Sequence, residues 1–324
     1  MTKLSRYATF SWGVLLYTIF VILWGAFVRA THSGAGCGSH WPLCNGEVIP
    51  QAPQIETIIE FTHRLSSGLA LPMVLVMAVW AYRAFPKGHP VRGGAMASLF
   101  LMVTEAIIGA GLVLFELVAY NSSVARAYWM IAHLSNTFLL LAALTLTAWW
   151  ASGGPAVRLK GQGRLGALLG GGVLCLMLLG ASGAIAALGD TLFPATSLAE
   201  GLQQDFAPTA HLFLRLRLFH PAIAVGTALY LVIVAALASA GRPTGPTRSL
   251  AQVLVGLILL QMSAGLLNVA LLAPVWLQIV HLLLADLLWM VLILLTASTL
   301  SHTPVQAQDP FEGQPLPVLG LVKE

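Results

Sequence analysis

Residues 60–83 read Glu60-Phe61-Thr62-His63-Arg64 and then LSSGLALPMVLVMAVWAYR, a short polar entry followed by a long apolar run. A run of roughly 20 apolar residues spans the hydrocarbon core of a bilayer as a helix. Working outward, seven more such runs lie near 10–29, 94–118, 128–151, 165–188, 218–240, 250–271 and 276–299. A membrane β-barrel would show short alternating segments instead. The 324 residues are 58% hydrophobic and 9% charged, with mean hydropathy +0.85, where a soluble domain carries about 25% charged residues. The expected fold class is therefore an all-α membrane protein with eight transmembrane helices, surrounded by membrane lipid. No aromatic-laced basic stripe is present, so nucleic acid is not an expected partner.

The run at 10–29 follows Lys3 and Arg6, as a signal peptide would, but it is longer than a signal h-region and is expected to stay as a helix. Lys and Arg set the orientation. Lys3, Arg6, Arg83, Lys87, Arg92, Arg158, Lys160, Arg164, Arg242, Arg248 and Lys323 fall on one side, which is 11 of the 16 basic residues. Arg29, Arg64, Arg126, Arg215 and Arg217 fall on the other. The basic side is expected to be cytoplasmic, with both termini inside a cytoplasmic membrane.

Four histidines come one per even-numbered run, His63 with His133 and His220 with His281. Ionisable side chains in membrane segments are costly and usually functional, and histidine is the ordinary axial ligand of haem iron. Counted from the starts of the apolar runs, His63 and His220 lie within the first turn and His133 and His281 about 8 Å deeper. A hydrogen-bonded membrane histidine is the plain alternative at each position taken alone. Taken together, two matched pairs predict one haem per half.

The halves repeat in other ways. Gly25 precedes His63 by 38 residues and Gly180 precedes His220 by 40. Glu105-Ala106-Ile107-Ile108-Gly109 in the third run matches Gln261-Met262-Ser263-Ala264-Gly265 in the seventh. Small residues here also suit close helix packing. The expected organisation is two pseudo-symmetric four-helix bundles, 1–151 and 165–300, joined by a linker at 152–164 and followed by a tail at 301–324.

Glu60 breaks the symmetry. It precedes His63 by three residues on one helical face, where the second half has Arg217 three before His220. A carboxylate beside a porphyrin edge can take a proton or stabilise a cation, whereas Arg64 and Arg217 suit haem propionates. An acid favoured by the helix dipole is the plainer account of Glu60. Cys37 and Cys44 lie between the first two runs, where a loop staple, a redox-labile bond and zinc ligation with His32 and His40 all remain open. Cys175 reads as a buried apolar residue. Glu105 and Asp286 read either as proton-route acids or as hydrogen-bonded packing groups.

These residues resemble the haem A synthases. The resemblance rests on Gly36-Cys37-Gly38, on Trp41-Pro42-Leu43-Cys44-Asn45-Gly46 and on Glu60-Phe61-Thr62-His63-Arg64. It continues through His133, Gly189-Asp190-Thr191-Leu192-Phe193-Pro194, His220 and His281. It implies oxidation of a methyl group of haem O to a formyl group, by two hydroxylations and loss of water, for assembly of a haem-copper terminal oxidase. It also implies that His63 and His133 hold the substrate haem O, that His220 and His281 hold a haem b cofactor, that Glu60 is catalytic and that Cys37 and Cys44 form a disulfide. A second cysteine pair carried by some members is absent between Leu188 and Arg217. The implied partner is the farnesyltransferase that makes haem O. The electron partner and any homo-oligomer are left open. With both axial positions filled, a substrate haem must react at its periphery, where Glu60 is needed. The rival readings are a di-haem b-type cytochrome taking electrons from quinol, which gives Glu60 and the cysteines no task, and a parallel-repeat transporter.

Overall fold

A computed structural model describes residues 5–301; the readings placed on Lys3, Lys323 and the tail beyond Ser301 lie outside the described residues. The helices are α1 (Arg6–Ala30), α2 (Ile55–Ala84), α3 (Pro90–Leu114), α4 (Val124–Ala151), α5 (Gly163–Leu192), α6 (Leu198–Phe206), α7 (Leu212–Arg217), α8 (Phe219–Gly241), α9 (Gly245–Ala270) and α10 (Val275–Leu300). Eight spans are long and apolar enough to cross a membrane, α7 and α8 counting as one. The chain is a multi-pass helical membrane protein. Side-chain caps start several helices: Ser5 accepts from the Ala8 N–H and Ser123 from the Arg126 N–H, each satisfying a donor the helix leaves unpaired.

Every span begins before its apolar run, and two do so by the widest margins. α2 starts at Ile55 and the sixth span at Leu212, because their first turns, IETIIE and LFLRLR, carry charges that hydropathy penalises. This corrects the expected depths. His63, His133, His220 and His281 lie eight, nine, eight and six residues beyond Ile55, Val124, Leu212 and Val275, a spread of only about 4.5 Å along the helix axes. The sixth span is interrupted at Leu218, which keeps helical dihedrals of φ −58° and ψ −31°. Pro221 has no N–H to give the Arg217 carbonyl and its ring crowds that carbonyl, so the hydrogen-bond ladder stops at Arg217 and resumes at Phe219.

In the first half α1 packs on α2 and α4, α2 on α3, and α3 on α4. In the second, α5 packs on α8 and α10, α8 on α9, and α9 on α10. Each half is thus a ring of four spans in which the two histidine-bearing helices stand diagonally opposed, α2 to α4 and α8 to α10. The rings meet where α4 packs on α5 and α10 and where α1 packs on α10. The main core lies along that seam: Phe138 and Trp289 stack with centroids 4.8 Å apart, and the Trp289 indole donates to the Phe138 carbonyl at 2.7 Å. At one end of the molecule the Arg158 N–H donates to the Leu300 carbonyl and the Arg242 guanidinium to that of Thr299. This is the basic end; the cysteine loop lies at the other.

Candidate functional site

The four imidazoles are seated alike. Each ring lies over a glycine of the preceding span: a Cβ on Gly25 would stand 2.9 Å from His63 Cε1, on Gly183 3.1 Å from His220, on Gly265 3.2 Å from His281 and on Gly109 3.9 Å from His133. At the first three positions a methyl group would push the ring away. Gly183 holds the place expected of Gly180, which instead faces the Phe138 ring. The spacing had allowed this, since Gly183 is 37 residues before His220 and Gly25 is 38 before His63. His63 and His133 lie within Coulombic range of each other, as do His220 and His281.

Three of the rings have a polar neighbour. His133 Nδ1 lies 3.3 Å from Glu105 Oε1, and that carboxylate also accepts from Thr137 and Asn136. Gln261 Nε2 lies 3.3 Å from His281 Nε2. Glu105 and Gln261 therefore meet the histidine of the next span, while the glycine one turn on supports its ring. Ser182 Oγ lies 2.8 Å from His220 Nδ1. His63 Nδ1 is buried without a hydrogen-bond partner. A polar partner on one ring nitrogen fixes the ring and leaves the other nitrogen for a metal.

Among the described residues no three His, Cys, Asp or Glu side chains cluster to hold a metal ion. Each histidine pair offers two imidazoles, a donor set that suits a metal bringing its own equatorial donors, as haem iron does. Zinc ligation by Cys37 and Cys44 with His32 and His40 is not formed, because Cys37 and Cys44 are joined in a disulfide.

The disulfide loop is built onto the start of α2. Gly36 lies so close to the Glu56–Thr57 backbone that a Cβ there would come within 2.4 Å of the Glu56 carbonyl carbon. The Thr57 hydroxyl donates to the Gly36 carbonyl at 2.7 Å, and Asn45 bonds back to Gly36 and Cys37. This packing delivers the Cys37 N–H to Glu60 Oε2 at 2.8 Å, while Glu60 Oε1 accepts from Arg64 Nε at 3.1 Å and Nη2 at 2.5 Å. Arg64 Nη1 donates to the carbonyls of His40 and Leu43. Glu60, 3% exposed, is thus gripped from two sides. Arg64 spends these donors on Glu60 and the loop, and Arg217 bonds Asp205 at 2.8 Å and Asp190 at 3.0 Å.

Sequence reasoning passed over several residues here. Arg29 reaches from α1 into the second half, donating to the Ala187 carbonyl, Thr191 Oγ1 and Gln278 Oε1 at 2.7–2.9 Å. Arg126 is 2% exposed and donates to the carbonyls of Ala119 and Asn121. Both were visible only as basic residues on the less basic side. Asp286 is fully buried with neither carboxylate oxygen bonded, and Cys175 is a free, partly buried thiol.

Residues 8–293 match the model of the COX15-CtaA family, described as cytochrome oxidase assembly protein. Two strains of Thermus thermophilus have a protein called protoheme IX farnesyltransferase that is 57% identical over 298 residues, covering 92% of this chain and 49% of the relative. The chain thus spans about half the length of these relatives. A heme A synthase of Alkalihalophilus pseudofirmus is 45% identical over 97 residues, 30% of this chain and 33% of the relative. One of Exiguobacterium is 33% identical over 142 residues, 44% and 46% respectively. With a match running from the first span to the last, the chain belongs to the COX15-CtaA family of cytochrome oxidase assembly proteins.

Proposed function

We propose that this protein is a haem A synthase, an oxidoreductase that converts a methyl group of haem O to the formyl group of haem A. His63 and His133 hold haem O as substrate, and His220 and His281 hold haem b. The observation that carries this reading is the inequality of two otherwise matching sites. Only the first pair has a carboxylate three residues before its histidine, held by Cys37 and Arg64; at the second, Arg217 stands there, tied to Asp190 and Asp205. The conversion, two hydroxylations followed by loss of water, is a four-electron oxidation of the methyl carbon, and its oxidant has to come from outside this chain. Haem b, when bound, supplies one-electron transfer.

The chain's own residues then have distinct tasks. His63 and His133 orient the porphyrin, with Glu105 fixing the His133 ring. Glu60 is placed to take a proton or oppose positive charge at the reacting edge. The disulfide loop holds the Glu60 carboxylate and covers it from water. The basic end faces the cytoplasm, as the positive-inside rule requires, and the division into halves at 1–151 and 165–300 follows the two sites. The name carried by the Thermus relatives, together with their double length, supports a working partnership with the farnesyltransferase that makes haem O. Supplying haem O to cells expressing the chain and chromatographing the extracted haems tests the reading. Haem A is expected; recovery of haem O unchanged, with b-type haem bound, would favour the di-haem cytochrome instead.

A further inference from the structure

We propose that Arg29 and Arg126 form a carboxylate-binding site at the loop end of the first half. Resting on the haem reading above, it takes a propionate of the porphyrin held by His63 and His133. Arg126 precedes His133 by seven residues on α4, two helical turns along the same face. Arg29 follows Gly25, the glycine beneath the His63 ring, by four residues on α1. Both positions therefore stand outward of the first histidine pair, with the Arg29 side chain turned across the seam toward α5 and α10.

Their bonding points to an anion. The two guanidiniums lie within Coulombic range of each other and repel. Every acceptor bonded to them is neutral: backbone carbonyls of Ala187, Ala119 and Asn121, the Thr191 hydroxyl and the Gln278 amide. Asp190 acts on Arg29 from a distance, but its carboxylate bonds Arg217. Arg126 Nε is buried and has no hydrogen-bond partner. A buried cation such as Arg126 beside a second, partly buried one is costly to hold without a bonded counter-charge, and a guanidinium presents several donors suited to one carboxylate. Arg64 and Arg217, the expected propionate contacts, already bond protein carboxylates.

The test compares haem O with its dimethyl ester, which lacks both carboxylates, by titration into the purified full chain followed by Soret absorbance. Wild-type protein should bind the ester about 10- to 100-fold more weakly than the acid. Arg126→Gln should lose a similar factor for haem O and no longer distinguish acid from ester, while Arg126→Lys, which keeps the charge, should retain part of the preference. Equal binding of acid and ester by wild-type protein overturns the carboxylate site while leaving the haem reading intact, and needs no variant to fold. Failure of haem O to bind in either form overturns the haem reading itself, and this proposal with it.

Discussion

At the scale of single residues, the proposal places the chemistry on Glu60, and the structure shows how that side chain is held. Its carboxylate is fixed by a backbone N–H from the disulfide loop and by a guanidinium one turn along its own helix. Glu60→Gln keeps the size of the side chain and one acceptor oxygen but gives up the second acceptor and the charge, so haem should stay bound while haem A formation falls about 10²–10⁴-fold. Chromatography of extracted haems would show haem O or a hydroxylated product accumulating; wild-type haem A levels would reduce Glu60 to a helix-start residue. Cys37→Ser or Cys44→Ser should lower turnover more than thermal stability, since the loop's closure delivers the Cys37 N–H to Glu60. Freely alkylatable thiols in active wild-type protein would contradict this. Glu60 was legible because three residues separate it from His63. Its grip was not, because the carbonyls of His40 and Leu43 reach Arg64 only through the folded loop, and the sequence shows Arg64 simply as a cation beside a histidine.

At the scale of helices, all eight spans were legible from apolar runs, and the errors are physical ones. Charged first turns hid the starts of α2 and the sixth span, and this displaced the expected depths of His63 and His220. The short helix α6 is too polar and too brief to stand out as a span. The seats beneath the histidines were half visible: Gly109 and Gly265 lie in matched motifs, but choosing Gly183 over Gly180 needs the helix rotation that packing sets. Gly183→Ala should displace the His220 ring and deplete haem b, whereas Gly226→Ala on α8, whose added methyl meets nothing within 4 Å, should leave haem b content unchanged. Ser182→Ala should weaken haem b retention about 10- to 100-fold by freeing the same ring. Pyridine-haemochrome assays of the three variants check this; equal haem b in all would separate these seats from ligand binding.

At the scale of the molecule, the two rings share a layout but differ where Glu60 stands in one and Arg217 in the other. The seam between them is closed by the Phe138–Trp289 stack and bridged by Arg29, which ties α1 to α5 and α10. The repeat of histidines was plain in the sequence, since it rests on residue identity at matched spacing. The bridge was not, since it joins residues 158, 162 and 249 positions apart. The central claim is that one ring holds the substrate haem and the other a resident haem b. The most direct measurement is the haem inventory of two single variants purified from cells supplied with haem O. His220→Ala should lose haem b yet still carry haem O at the first pair, and His133→Ala should lose haem O and haem A yet keep haem b. Loss of the same haem from both variants, or haem b alone at both sites, would contradict the account.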